Sequence, residues 1–345
     1  MNTSITKNVV SASRDGEMQL SIIIVSYNTL DITRACLKSL ESASLTLKHE
    51  ILVDDNASQD GSPDMIEREF PAVILVRNAR NRMFAGANNQ AMAMAGGRYI
   101  LLLNSDTLVA PGNIEKMVEF IDQRRPRVGC VGPRVVRADG TIQSEGEPFS
   151  SIGYVLSRFF CLHKVPLPFF VRKRILPVGF PFGMEGRTRR VGWVVGCSIM
   201  FPKDLIRQCG GLDEDFVFYC EEMEFCYRLQ RYGYETWVVP DAQITHLGSA
   251  SFVAAKTLER RDCPDIPSYF ERRLLFYQKT SGVSRQIATN RVQITLYSCI
   301  LPLLKLGGRK EAVAVKEKIE FHREENRIFL KKLTGGSAPR RSDAK

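Results

Sequence analysis

LLLNSDTLV, Leu101 to Val109, carries three leucines into Asn104, Ser105 and Asp106 before returning to apolar residues. A short apolar run bounded by the turn formers Gly96-Gly97 and Asn104-Ser105 predicts a buried strand, because a helix needs a longer periodic stretch. The strand ends on a carboxylate. In an open α/β sheet, ligands bind beyond the carboxyl ends of the strands, so Asp106 is a candidate for meeting a ligand or a metal. A helix cap is its competing role, since Pro111 and Asn113 mark a helix start just beyond.

Upstream, the same plan occurs three times. Ser21 to Ser26 (SIIIVS) reads as a strand ending at Tyr27-Asn28, followed by a helical pattern through Ile32, Cys36, Leu37 and Leu40. Glu50 to Val53, the polar turn Asp54 to Ser58 and a helix from Pro63 to Phe70 form the second unit, with Asp54 adding a carboxylate beside Asp55. Ala72 to Val76, Asn78 to Asn81 and the small-residue helix Phe84 to Ala95 form the third. With a helix through Ile114, Met117, Val118 and Ile121 after the opening strand, strand and helix alternate four times. That alternation predicts βαβ units and a parallel sheet with right-handed crossovers. The first three strands end in polar residues; neither G-x-G-x-x-G nor G-x-x-x-x-G-K-[ST] occurs, which removes the usual dehydrogenase and P-loop readings. Asn28, Asp55, Asn81 and Asp106 would gather on one sheet edge, a pocket suited to a base, a ribose and a diphosphate with a metal at Asp106.

Downstream, Asp139-Gly140 predicts a hairpin turn. Residues 149–190 mix aromatic, proline and arginine residues without a period and read as an insertion near the active-site mouth, suited to an interface or a glycan, with an irregular packed loop as the alternative. Gly192 to Phe201 is strand-like, with Gly196 permitting close approach of a ligand or backbone. Phe225, Cys226, Leu229 and Tyr232 follow a helical spacing stopped by Gly233, which sets Glu221, Glu222 and Glu224 in a first turn where the helix dipole alone favours acids. A base poised for an acceptor hydroxyl would be one of these glutamates. Trp237 to Pro240 and Ala242 to Leu247 read as strands, the latter bearing His246. Pro267 to Ser281 and Arg309 to Leu333 read as helices, and Ile294 to Leu306 as an apolar stretch interrupted by Pro302 and Lys305.

The 345 residues, 44% hydrophobic and 25% charged, are enough for a sizeable core in one large or two smaller domains. Nine scattered cysteines without a C-x-x-C pair point to reduced thiols rather than a zinc ribbon or a disulfide scaffold. No run reaches the ~20 apolar residues of a membrane span. Residues 1–18 read as a disordered leader, 19–255 as the catalytic domain, 256–333 as a helical basic region and 334–345 as a disordered tail. The net charge of +10 concentrates in 151–190, with eight basic residues to one acidic, and in 251–345, with twenty to ten. Such segments attract anionic lipid or phosphorylated substrate, while solvated helix faces are the default. They carry no nucleic-acid-binding motif, so no nucleic-acid partner is expected.

SIIIVSYN, ILVDDNASQDGS, NRMFAGANN, LLLNSDT, GWVVGCSIMF, GGLDEDFVFYCEEMEFCYRL and PDAQITHLGSAS, in this order over Ser21 to Ser251, resemble glycosyltransferase family 2, the inverting transferases of GT-A fold, in the rhamnosyltransferase-like branch. The resemblance implies an α/β fold with a Rossmann-like, mostly parallel central sheet flanked by helices, here with a helical C-terminal extension. It implies that Ser26 and Asn28 lie along the nucleotide, that Asp55 bonds the pyrimidine beside Asn56, and that Asn81, Phe84, Gly86 and Asn88 shape the floor under ribose and diphosphate. Trp193 and Gly196 would also line the donor site. Asn104, Ser105 and Asp106 take the place of the metal-binding Asp-x-Asp motif, with Asp106 and His246 as ligands of Mg²⁺ or Mn²⁺, so loss of Asp106 is expected to cost more activity than loss of Asn104. Glu222 falls at the general base, with Glu221 just before it. Glu222 stands where Asp is common, Met83 where glycine is frequent, and Gly192 where Asp is frequent.

The function so implied is transfer of a hexose, with dTDP-L-rhamnose as the expected donor, to a lipid-linked or oligosaccharide acceptor in bacterial surface polysaccharide synthesis. The enzyme would lie in the cytoplasm, peripheral at the inner face of the membrane. A UDP-hexose or UDP-N-acetylhexosamine transferase of the same fold, and a non-catalytic glycan- or nucleotide-binding scaffold, are the alternatives.

Overall fold

Alternating apolar strands and amphipathic helices build the first half of the chain, as seen in a computed structural model that describes residues 4–6, 18–160, 186–248, 268–307 and 309–334. The strands and helices of this half are β1 (Ser4–Thr6), β2 (Leu20–Ser26), α1 (Leu30–Ala43), β3 (His49–Asp55), α2 (Ser62–Glu69), β4 (Ile74–Arg77), α3 (Met83–Met94), β5 (Tyr99–Asn104), β6 (Thr107–Val109) and α4 (Asn113–Arg124). There follow β7 (Val128–Val136), β8 (Ile142–Ser144), α5 (Ile152–Phe159), β9 (Arg189–Val191), β10 (Ser198–Pro202), α6 (Leu205–Cys209), α7 (Glu221–Arg231) and β11 (Glu235–His246). Three helices close the chain: α8 (Tyr269–Lys279), α9 (Val283–Gly307) and α10 (Arg309–Leu333).

The chain divides into two compact units, Met1–Glu147 with Pro181–Ile266, and Pro148–Phe180 with Pro267–Lys345. In the first, one sheet runs β1-β4-β3-β2-β5-β10-β7-β11-β6, with β8 on β7 and β9 on β11. Strands β4, β3, β2 and β5 are parallel, as the four alternations predict, and β10 enters antiparallel between β5 and β7. Leu20, Ile22, Ile23 and Ile24 of β2 have no exposed surface, as expected of a central strand covered on both faces. Ile22 and Ile24 join Leu37 and Leu40 of α1, Leu101 and Leu103 of β5, and Ile114 and Met117 of α4 in one core. Each such buried side chain contributes about 1.5–3 kcal/mol.

Several elements depart from expectation. Ser4–Thr6, inside the segment read as a leader, pairs antiparallel with β4 and satisfies backbone groups on that sheet edge. The strand expected over 192–201 is confined to Ser198–Pro202, because Gly192 and Trp193 pair with Glu147 instead. The two strands expected around His246 are one, β11, whose register against β7 shifts between Val239 and Gln243. Pro240, which lacks an N–H, lies in that irregularity. Helix α4 is capped by Gly112 at φ 75°, while Asn113 Oδ1 accepts from the Gln243 amide at 3.0 Å. Neither Asp106 nor Asn113 therefore caps it. Of the 149–190 segment, residues 161–185 lie outside the described residues, as do 249–267 and the tail beyond Thr334.

In the second unit α8 starts on a capping box, with Ser268 and Glu271 bonding each other's backbone amides. Helix α9 continues through Pro302. Arg273 of α8 pairs with Glu325 of α10, which is fully buried, and Asn290 of α9 donates to the other Glu325 oxygen at 2.7 Å. No described helix is long and apolar enough to cross a membrane.

Candidate active site

The strand ends of the first unit open into a cleft of about 670 Å³, lined by residues of the β2–α1 and β4–α3 turns, the β5–β6 break, the β7–β8 hairpin, the segment before β10, and the start of α7. Of the expected site residues, Asn56, Asn81, Phe84, Asn104, Ser105, Gly196, Glu221, Glu222 and His246 line it.

Asp106 sits in the two-residue break between β5 and β6 and is completely buried. Strand β11 pairs antiparallel with β6, His246 opposite Thr107, and the Leu247 amide donates to the Asp106 carbonyl at 2.8 Å. These backbone bonds carry His246 to Asp106, with Nε2 3.1 Å from Oδ1. The two atoms do not have hydrogen-bond geometry, and His246 Nε2 is buried without a hydrogen-bond partner. A carboxylate oxygen and an imidazole lone pair converging in this way fit a shared divalent cation. Among the described residues no cluster of three His, Cys, Asp or Glu completes a cage.

Glu221 and Glu222 open α7 after two consecutive non-glycine residues in the left-handed region, Tyr219 at φ 71° and Cys220 at φ 73°. Backbone held in this way recurs at functional sites. Glu222 is half-buried on the cleft wall, and burial pushes its carboxyl up to about 7. Gly196 lies beside it: a methyl there would meet the Glu222 side chain at 3.6 Å, an ordinary contact. A carboxyl with this affinity can take a proton near neutrality.

The turn before α3 forms the facing wall. Met83 has φ 60°, which accounts for glycine being frequent at this position in the family it resembles. Asn81 Oδ1 accepts from the Met83 amide at 2.8 Å and Asn56 Nδ2 donates to the Met83 carbonyl at 3.3 Å. Both asparagines thus hold the bend as well as lining the cleft. Asp55 is buried, with Oδ1 accepting from the Ser58 amide at 2.9 Å and Oδ2 unmatched, and burial raises its pKa. Asp54, on the opposite face of β3, takes a bond from Asn78, and burial pushes its carboxyl up to about 7.

The remaining expected residues do not line the cleft. Ser26 shares hydroxyl bonds with Thr29 and Thr33, and Asn28, at φ 50°, accepts from the Gln59 amide at 2.8 Å. Asn88 donates to the Phe84 carbonyl at 2.9 Å, while a Cβ on Gly86 would meet Glu214 at 3.5 Å. Trp193 is bridged to Glu147. Tyr27, Arg137, Gln143, Phe218 and Tyr219 line the cleft without having been singled out. Arg137 and Gln143 flank the Asp139-Gly140 turn that the sequence did mark, and Phe218 and Tyr219 directly precede the acidic turn.

The description Glycosyl transferase family 2 matches residues 21–187. The chain is 28% identical over 222 residues to an N-acetylglucosaminyl-diphospho-decaprenol L-rhamnosyltransferase of Mycobacterium tuberculosis, covering 59% of this chain and 69% of that protein. It is 33% identical over 108 residues to the Escherichia coli UDP-Glc:alpha-D-GlcNAc-diphosphoundecaprenol beta-1,3-glucosyltransferase WfaP, covering 31% of this chain and 42% of the relative. Among solved structures it resembles the mannosyltransferase PcManGT from Pyrobaculum calidifontis in complex with GDP-Man and Mn²⁺, with TM-score 0.55 and 16% identity over 94% of this chain and 89% of the other. With the sheet order and the strand-end cleft, these likenesses make the chain a glycosyltransferase of family 2, built on the GT-A fold.

Proposed function

We propose that this enzyme transfers L-rhamnose from dTDP-L-rhamnose, with inversion, to a hydroxyl of a lipid-linked glycan in bacterial surface polysaccharide synthesis. The observation that carries the chemistry is a single cleft lined by Glu222, whose carboxyl burial pushes up to about 7, and by His246, which converges on the buried Asp106 behind it.

In this reading Asn56, which lines the cleft, and the buried Asp55 beside it bond the pyrimidine, while Asn81 and Phe84 on the cleft wall face ribose and diphosphate. Asp106 and His246 would hold Mg²⁺ or Mn²⁺, and the cation there would supply neutralisation of the charge growing on the leaving diphosphate. Glu222 takes the proton of the acceptor hydroxyl as the oxygen attacks the anomeric carbon on the face opposite the diphosphate. The C–O bond to the diphosphate breaks as the new one forms, so no sugar becomes linked to the protein. Glu221, buried beside it, shapes the wall.

The rhamnosyl donor is supported by the mycobacterial relative. The relative from Escherichia coli favours a second donor, UDP-glucose, and both relatives are named for an N-acetylglucosaminyl-diphospho-polyprenol acceptor. A lipid-linked acceptor calls for the inner membrane surface, and the excess of basic residues after position 250 supports a peripheral cytoplasmic placement there. The test is a panel of dTDP-L-rhamnose, UDP-glucose and UDP-N-acetylglucosamine with Mg²⁺ or Mn²⁺ and a GlcNAc-diphospho-polyprenol acceptor. The expected result is release of dTDP and a matching thermal shift, since ligand that binds only the folded state stabilises it by about 2.7 kcal/mol at 100 times Kd. Release of UDP alone reassigns the donor. No nucleotide diphosphate from any donor rejects the transferase chemistry.

A further inference from the structure

We propose that Gln143 is a positioning residue whose amide oxygen accepts the Nδ1–H of His246 and so keeps the Nε2 lone pair bare for a divalent cation shared with Asp106. The inference rests on the reading of Asp106 and His246 as cation ligands.

Gln143 reaches the cleft because of a β-bulge. In the β7–β8 hairpin Ser144 pairs with Val135 and Ile142 with Val136, so Gln143 is the extra residue on its strand. Bulges re-aim a side chain and are over-represented beside active sites. The hairpin is locked around it by Arg137, which donates to the Thr141 hydroxyl at 3.2 Å and to the Ile142 carbonyl at 3.1 Å. Gln143 Oε1 then lies 3.0 Å from His246 Nδ1.

A neutral imidazole carries one proton, and the partner of one nitrogen decides where it sits. With the proton on Nδ1 it is donated to Gln143, and Nε2 presents its lone pair beside Asp106 Oδ1. With the proton on Nε2 a buried donor has no acceptor in line, because the 3.1 Å approach to Oδ1 lacks hydrogen-bond geometry. A buried donor left without an acceptor costs about 1–3 kcal/mol. Turning the amide so that its NH₂ faces Nδ1 forces that second state, so amide orientation and tautomer are selected together. Metal-binding histidines commonly have their second nitrogen fixed by such an acceptor.

The test uses the full chain with Gln143→Leu, Gln143→Glu and His246→Ala. Long-range ¹H–¹⁵N correlation on metal-free protein is expected to show His246 protonated at Nδ1 in the parent and in Gln143→Glu, and a tautomer mixture in Gln143→Leu. Mn²⁺ titration in the presence of dTDP, followed by loss of the free-ion EPR signal, is expected to give a roughly 10–100-fold weaker Kd for Gln143→Leu, with Gln143→Glu retaining binding. An Nε2–H tautomer in the parent overturns the proposal. So does Gln143→Leu binding Mn²⁺ as the parent does, whether or not its tautomer changes. If His246→Ala itself leaves Mn²⁺ binding intact, the cation reading fails instead, and the assignment of Gln143 falls with it.

Discussion

Two buried clusters, one in each unit, hold polar groups in opposite ways. In the helical unit Glu325 has both oxygens engaged, by Arg273 and by Asn290, and Asn290 is further tied to Gln286 and Asn326. The Arg273 guanidinium also lies over the rings of Tyr269, Tyr277 and Phe321, at 5.4–5.9 Å from their centroids. At the strand ends of the catalytic unit, Asp55 Oδ2 and His246 Nε2 are buried without a hydrogen bond, and the Glu222 carboxyl is raised by desolvation. A network closed on itself holds helices in register; groups left unmatched under a cleft are stabilised when a ligand arrives. The difference separates buried polarity that closes on itself from buried polarity left open beneath a cleft.

The sharpest break of this comparison is at Glu222. Glu222→Gln keeps size and burial but removes the proposed base, so kcat should fall by roughly 10²- to 10⁴-fold with little change in Tm. The parent's kcat/KM should fall on the acid side of about pH 7, where the carboxylate is protonated, and level off above it; the variant should lose that limb. Steady-state release of nucleotide diphosphate across pH checks both.

Glu325→Ala should do the reverse. It strands the Arg273 cation in a buried site, at a cost of about 3–5 kcal/mol seen as a lower denaturation midpoint. Replacing both partners with apolar residues of similar size should recover most of that loss, whereas a double variant as unstable as the single one would show that the pair does more than satisfy itself. The smallest effect is at Met83. Met83→Gly relieves a left-handed φ that costs a side-chain-bearing residue about 1–2 kcal/mol, offset by lost side-chain packing, so Tm should rise slightly. A fall in Tm would place the packing of Met83 above its strain.

Much of the fold was legible because local chemistry specifies it. Four apolar runs ending in polar residues announced β2, β3, β4 and β5, and the helix at Arg309–Leu333 follows its charge pattern. The helical spacing placed Glu221 and Glu222 in a first turn, where the structure has them. Ser26, Asn28 and Asn88 do not line the cleft but bond to a helix hydroxyl, a neighbouring loop and a carbonyl of their own helix, because a polar residue looks the same in sequence whether it faces a ligand or holds the backbone around it.

By itself the sequence determined the alternating α/β plan, the strand ends as the working edge, and the candidate acids Asp106, Glu221 and Glu222, because period, turn chemistry and capping act between near neighbours. The resemblance paired His246 with Asp106, but only the tertiary structure decided how the two meet, that Gln143 meets His246, and that burial pushes the Glu222 carboxyl up to about 7. Those follow from the β11–β6 pairing, a bulge in β8 and burial of α7, which depend on contacts between residues far apart in the chain.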